Sequence, residues 1–202
     1  MRFSNIATAA ALSLVSASPA PAVDTSPIRA EISYEQPPEP WTVMGPPAAG
    51  TEFFNLKVNS SDAAVTNQWV SLKGKNYVLG GTTQSAAAKF FAIKYNETGT
   101  YSLLNSDDTR QVVLQGANTT LLYFTDVTSP TGGSIPAGQA WEWSIFTTDA
   151  NKLWLNDGST AQLRTWAAMK QTDNSYRVAL FDGVGPIGGT PVPIGISIVK
   201  TT

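Results

Sequence analysis

From Thr51 onward, short runs of β-branched, aromatic and apolar residues recur at intervals of roughly ten residues, each closed by Gly, Asn, Asp or Thr. Phe54, Leu56 and Val58 alternate with Phe53, Asn55 and Lys57, the period of two expected of a half-buried strand. Residues 67–81 (NQWVSLKGKNYVLGG) read as a hairpin turning around Lys73 to Asn76. Residues 90–104, 111–124, 141–158 and 163–181 read as four more hairpins, and 194–199 (IGISIV) as a closing strand. No stretch after residue 50 keeps a helical period for three turns, and 84–89 (QSAAAK) holds one at most. The chain is therefore expected to be all-β. About eleven strands in some 150 residues, joined by tight turns, predict a single closed β-barrel of about ten to twelve short antiparallel strands, because closure removes unpaired edges. The alternative is a β-trefoil, with 70–103, 112–155 and 166–180 as three unequal units whose spacing is too irregular for a repeat.

Composition removes most reaction chemistry. The 202 residues include no histidine and no cysteine. That excludes a Ser-His-Asp or Cys-His nucleophile, a histidine-ligated zinc or copper, an imidazole base, thiolate chemistry and disulfides. No cofactor is expected. Residues 51–202 carry 11 basic and 11 acidic side chains, and no basic cluster of the kind nucleic acid requires is visible. Nor is there a polybasic or amphipathic segment for a membrane surface. Gly183, Gly185 and Gly188 spell a dinucleotide-type glycine pattern, but Pro186, Pro191, Pro193 and a following strand leave no room for the helix that such a site needs.

The N-terminus has the form of a secretory leader. Arg2 is the positive start, Ile6 to Val15 is a ten-residue apolar run, and Val15, Ser16 and Ala17 are small. Residues 1–17 are expected to be removed after Ala17, with a second acceptable site near Ala22. After cleavage the chain is expected to be extracellular and without a membrane association. Eight of the 13 prolines lie between Ser18 and Pro47, so residues 18–50 read as an extended arm or linker, with Trp41 and Met44 available to dock it. The folded domain is expected over 51–202. Asn59, Asn96 and Asn118 each head an N-x-[ST] acceptor, the last two in predicted hairpin turns.

Carboxylates are the acid–base groups that remain, and glycoside hydrolysis needs two of them facing one bond. Candidates are Asp107 and Asp108 in a turn, Glu142 between two tryptophans, and Asp182 before the glycine loop. Asp107, Asp149, Asp157 and Asp173 have a turn-forming explanation. Alternation puts Trp141, Trp143 and Ile145 toward the core and Glu142 outside. By the same rule Trp69 shares a polar face with Asn67, Ser71 and Lys73. Trp154 shares one with Lys152 and Asn156, and Trp166 shares one with Arg164 and Lys170. Exposed rings beside hydrogen-bonding side chains are how proteins stack on sugars. Trp69, Trp154, Trp166, Arg164 and Lys152 are thus the candidate binding residues. The same rings would also serve to cover a barrel end, to dock the arm or to meet a protein, and a slip of one residue would exchange the two faces.

FFNLKV (53–58), QWVSLKGKNYVLGG (68–81) and the late run WEWSIF…KLWL…TWAAMKQTDNSYRVALF (141–181) resemble, in order, the strands of the PhiA-type cell-wall proteins of filamentous ascomycetes and their IgE-binding and plant-elicitor relatives. That family carries a histidine on an early strand and a few cysteines; this chain has neither, so no functional residue is transferred. The resemblance implies a secreted, non-enzymatic cell-wall or apoplastic protein. Its partner would be a wall polysaccharide, or a host or wall protein. A carboxylate-dependent glycan hydrolase is the alternative.

Overall fold

The computed structural model describes residues 47–106, 110–158 and 163–201. The expected leader (1–17), most of the expected arm (18–50) with Trp41 and Met44, and the candidate acids Asp107 and Asp108 lie outside them. The described residues are all-β, 50% of them in strands and 4% helical.

Among the described residues, fourteen strands fall into three successive groups. The first comprises β1 (Phe54–Asn59), β2 (Trp69–Lys73), β3 (Asn76–Gly81) and β4 (Phe90–Lys94). The second comprises β5 (Tyr101–Asn105), β6 (Arg110–Gly116), β7 (Leu121–Thr128), β8 (Ala140–Glu142) and β9 (Phe146–Asp149). The third comprises β10 (Lys152–Leu155), β11 (Thr165–Lys170), β12 (Tyr176–Phe181), β13 (Pro191–Pro193) and β14 (Gly195–Lys200). The five hairpins and the closing strand stand where the sequence puts them. The short strands β8 and β13 are additions. The 84–89 segment contributes a single 3-10 turn at Gln84–Ala86.

Hydrogen bonding closes a barrel of ten antiparallel strands, β1–β2–β3–β12–β7–β6–β5–β9–β10–β14 and back to β1, with β4, β8, β11 and β13 outside the ring. The same network contains a shorter closed path of six, β1–β4–β5–β9–β10–β14. The hairpins β2–β3, β6–β7 and β11–β12 stand off that path and join one another through β3, β7 and β12. A six-strand ring capped by three mutually paired hairpins is the β-trefoil arrangement, so the two layouts are descriptions of one pairing scheme.

The three groups supply equivalent core positions. Leu56, Leu103 and Leu153 are buried on the first strand of each group, and Phe90, Phe146 and Ile196 near the start of its last strand. At the centre, the Phe124 ring meets Tyr77, Phe146 and Trp166 edge-on at centroid separations of 6.3, 5.9 and 5.2 Å, the geometry aromatic quadrupoles favour. A smaller cluster of Ala167, Met169 and Ala179 lies apart from this core and is covered in part by Ile187 of the glycine- and proline-rich loop. In that loop Gly185 sits so close to Thr120 that a Cβ would lie 2.3 Å from its methyl group. Gly183, at φ 84°, serves turn geometry and Gly185 serves packing.

Candidate functional site

A groove of ≈ 690 Å³ opens where β10, β14, the start of β11 and the end of β1 converge. β10 alternates cleanly: Leu153 and Leu155 turn to the core, and Lys152 and Trp154 turn out. Trp154 is 50% exposed and stands on the lip. Lys152 pairs across to Ser197 of β14, and Asn59 to Gly195. The Asn59 amide donates to Ser197 Oγ at 2.6 Å, and Ser60 Oγ donates to the Pro193 carbonyl at 2.8 Å. Asn156 completes a rim rich in donors and acceptors. The floor is apolar and buried, built from Leu153, Trp166, Leu180 and Ile196.

Four of the five candidate binding residues, Lys152, Trp154, Arg164 and Trp166, border this one groove. They do so in different capacities. Trp154 and Lys152 are on the exposed side, as expected. Trp166 is not: it is 4% exposed, its indole N–H donates to the Leu153 carbonyl at 2.8 Å, and its ring packs on Phe124. The polar residues Arg164 and Lys170 flank the buried span of β11, and both faces between them are covered, so they say nothing about Trp166. Trp69 lies away from the groove. It points opposite to the core residue Val70 but is only 8% exposed, with a bulge between Trp69 and Val70 and the Lys57 ammonium 5.5 Å from its ring centroid. The three-tryptophan face is therefore reduced to one exposed ring.

The β8 faces are also reversed. Glu142 pairs with the core residue Leu114 and is buried, while Trp141 and Trp143 are half-buried. The Glu142 carboxylate is met by Arg164, whose Nη2 donates to Oε1 at 2.9 Å. The other arm of the guanidinium is ion-paired with Asp157, so turn formation is not the whole role of that acid. Arg164 and both acids are nearly enclosed, each side chain at most 10% exposed. A charge buried this far is stable only when paired, and here one fork serves two carboxylates. Glu142 Oε2 is buried without a hydrogen-bond partner. Glu142 at the end of β8 and Arg164 just before β11 meet although β9 and β10 lie between them in the chain, so no local spacing signals the contact.

Asp182 and Asp173 hold turns. Asp182 Oδ1 accepts from the Val184 and Gly185 amides. Burial opposes ionisation of Asp182, yet these bonds hold it below the ordinary carboxylate range. Asp173 accepts from Ser175 in a turn. A second buried cluster lies in the hairpin cap, where Tyr77 donates to Asp126 at 2.6 Å and Arg110 pairs with the other oxygen at 3.1 Å. Among the described residues, no group of three or more acidic, His or Cys side chains is placed to hold a metal ion. Of the asparagines in the three N-x-[ST] motifs, all exposed, Asn59 lines the groove, while Asn96 and Asn118 occupy turns elsewhere.

Comparisons of the chain with protein-family models, with curated proteins and with solved structures returned no match.

Proposed function

We propose that this is a secreted, non-enzymatic cell-wall or apoplastic protein that binds a wall polysaccharide in the Trp154 groove. The observation that carries the reading is an exposed indole on the lip of a cleft whose rim is rich in hydrogen-bonding groups. The volume is within the ≈ 300–1,000 Å³ typical of ligand sites. A sugar ring presents an apolar face to the indole and hydroxyls to Lys152, Asn156, Ser60 and Ser197. The floor beneath is fixed by core packing, so little ordering cost falls on binding. Secretion rests on the leader-like sequence of residues 1–17 and the three acceptors. Intact mass of protein from its native host tests it: the expected chain starts near Ser18 and carries added hexose, and a retained Met1 without hexose contradicts it.

Pull-down on chitin, β-glucan and cellulose tests the groove. Binding to at least one polymer should weaken about 2- to 12-fold in Trp154→Ala, the range of a lost stacking contact. Unchanged retention on every polymer overturns the polysaccharide reading. A host or wall protein would then be the partner to seek.

One observation favours a hydrolase as second reading: Glu142 and Asp157 face one guanidinium at the end of the groove. A carboxylate gripped by arginine acts as an acceptor, whereas hydrolysis needs one carboxyl to donate a proton to the leaving group. Release of reducing sugar from the same polymers, abolished in Glu142→Gln, would establish hydrolysis; its absence leaves binding.

A further inference from the structure

A second cavity, ≈ 340 Å³, lies between the β2–β3 turn and the β11–β12 turn. Its character is opposite to that of the groove: apart from Val78 its lining is polar or charged, with Lys73, Asn76, Gln171, Asp173 and Arg177 among it. Arg177 is on β12, directly across from Val78 of β3, where the three capping hairpins meet. Its guanidinium carbon lies 4.2 Å from the Tyr123 ring centroid. Only Nη2 finds a protein acceptor, Thr125 Oγ1 at the long distance of 3.5 Å, and Nε is buried with none. No carboxylate among the described residues pairs with it. Lys73, by contrast, is held at the mouth by Asp173 at 3.0 Å, both side chains being more than half exposed.

The cavity thus contains one balanced cation and one unbalanced, partly desolvated cation. Removing a guanidinium from water without an anion is unfavourable, and burial already pulls the Arg177 pKa down. The unused donors on Arg177 form part of a fork that matches a two-oxygen acceptor.

We propose that this cavity binds an oxyanion, a carboxylate, sulfate or phosphate group. Arg177 grips it from the floor and Lys73 closes on it from the rim. Asp173 is paired with Lys73 and competes with the ligand for that ammonium. This site is separate from the Trp154 groove and does not depend on what the groove binds.

Titration of the full chain with galacturonate, inorganic sulfate and inorganic phosphate, followed by NMR shifts, tests the proposal, with uncharged galactose as control. The anions should bind and galactose should not, and affinity should fall as salt rises. Galacturonate binding well ahead of the inorganic ions identifies a carboxylate on a sugar as the carrier; comparable binding of all three identifies the bare oxyanion. Arg177→Gln should weaken binding about tenfold or more, the value of a charge-assisted contact. Asp173→Asn keeps an acceptor for Ser175 and removes the competing charge, so binding should tighten by roughly 1.5- to 5-fold. That gain cannot come from unfolding, and it decides the matter if Arg177→Gln fails to fold. Absence of anion binding, or binding that Asp173→Asn fails to tighten, overturns the site.

Discussion

Trp154 and Trp166 border the same groove from consecutive strands of the chain, one on its lip and one in its floor. The lip ring is half exposed; the floor ring is buried, hydrogen-bonded through its indole N–H and packed on Phe124. The charged groups divide in the same way. Lys152 on the lip is exposed, whereas Arg164 at the groove end is enclosed between Glu142 and Asp157. A cleft of this kind separates two tasks: the floor maintains the fold, and the lip is free to meet a ligand at little cost in stability. Which residue belongs to which task follows from burial and partners, not from residue type.

The floor should respond most strongly to change. Trp166→Ala should lower unfolding free energy by ~3–5 kcal/mol, a large part of the ~5–15 kcal/mol typical of a domain, measured by urea denaturation. Arg164→Ala should cost a similar ~3–5 kcal/mol, because it leaves two enclosed carboxylates without their cation. A floor variant that unfolds no more easily than the parent would erase the distinction between the two regions.

The buried cluster in the hairpin cap gives an intermediate effect with a pH signature. Burial, and then the bond to Asp126, raise the Tyr77 pKa far above its ordinary value of 10.0. The folded chain therefore keeps a proton that the unfolded chain loses. Stability from this group is complete below pH ~10 and declines as pH rises further, since the unfolded state then binds fewer protons. Alkaline titration followed by tyrosinate absorbance should show one tyrosine of six that ionises only with unfolding. Tyr77→Phe should cost ~1–3 kcal/mol at neutral pH by leaving Asp126 short of a donor, and should remove this alkaline step.

Lip changes should be the mildest. Trp154→Ala should alter stability by at most ~0.5 kcal/mol, as expected of a surface position, while reducing polymer binding. In the turn that precedes β10, Ala150 and Asn151 have φ of 46° and 62°. The left-handed region is unfavourable for alanine and open to glycine. Ala150→Gly should therefore stabilise the chain by about 0.5–1 kcal/mol, readable as a small rise in the urea midpoint without loss of binding. A loss of stability instead would mean that the lip hairpin is held by contacts other than its turn.

The hairpins were legible in the sequence because their signals are local. Gly74, at φ 63°, turns β2 into β3 in a two-residue loop, and the Asn96 and Asn118 turns fall where Gly, Asn and Thr cluster. The threefold organisation was only faintly visible. The second and third groups each insert a short strand, β8 or β13, which spoils the spacing although the core positions Leu56, Leu103 and Leu153 correspond. The groove was half legible: its residue types were recognised, but two of the three tryptophans and Glu142 were placed on the wrong side of the protein surface.

The amino-acid sequence by itself determined the all-β class, the positions of the turns and the exclusion of histidine and cysteine chemistry, since each depends on residue type and near neighbours alone. Tertiary structure decided which faces are covered. Alternation divides a strand into two faces, but whether one or both are buried depends on elements distant in the chain. The loop bearing Ile187 lies over the second face of β11, and Arg164 draws Glu142 inward from β8. The two cavities arise in the same way, at points where strands from separate groups meet. There side chains far apart in sequence come together, and their mutual charges and contacts set what each of them can do.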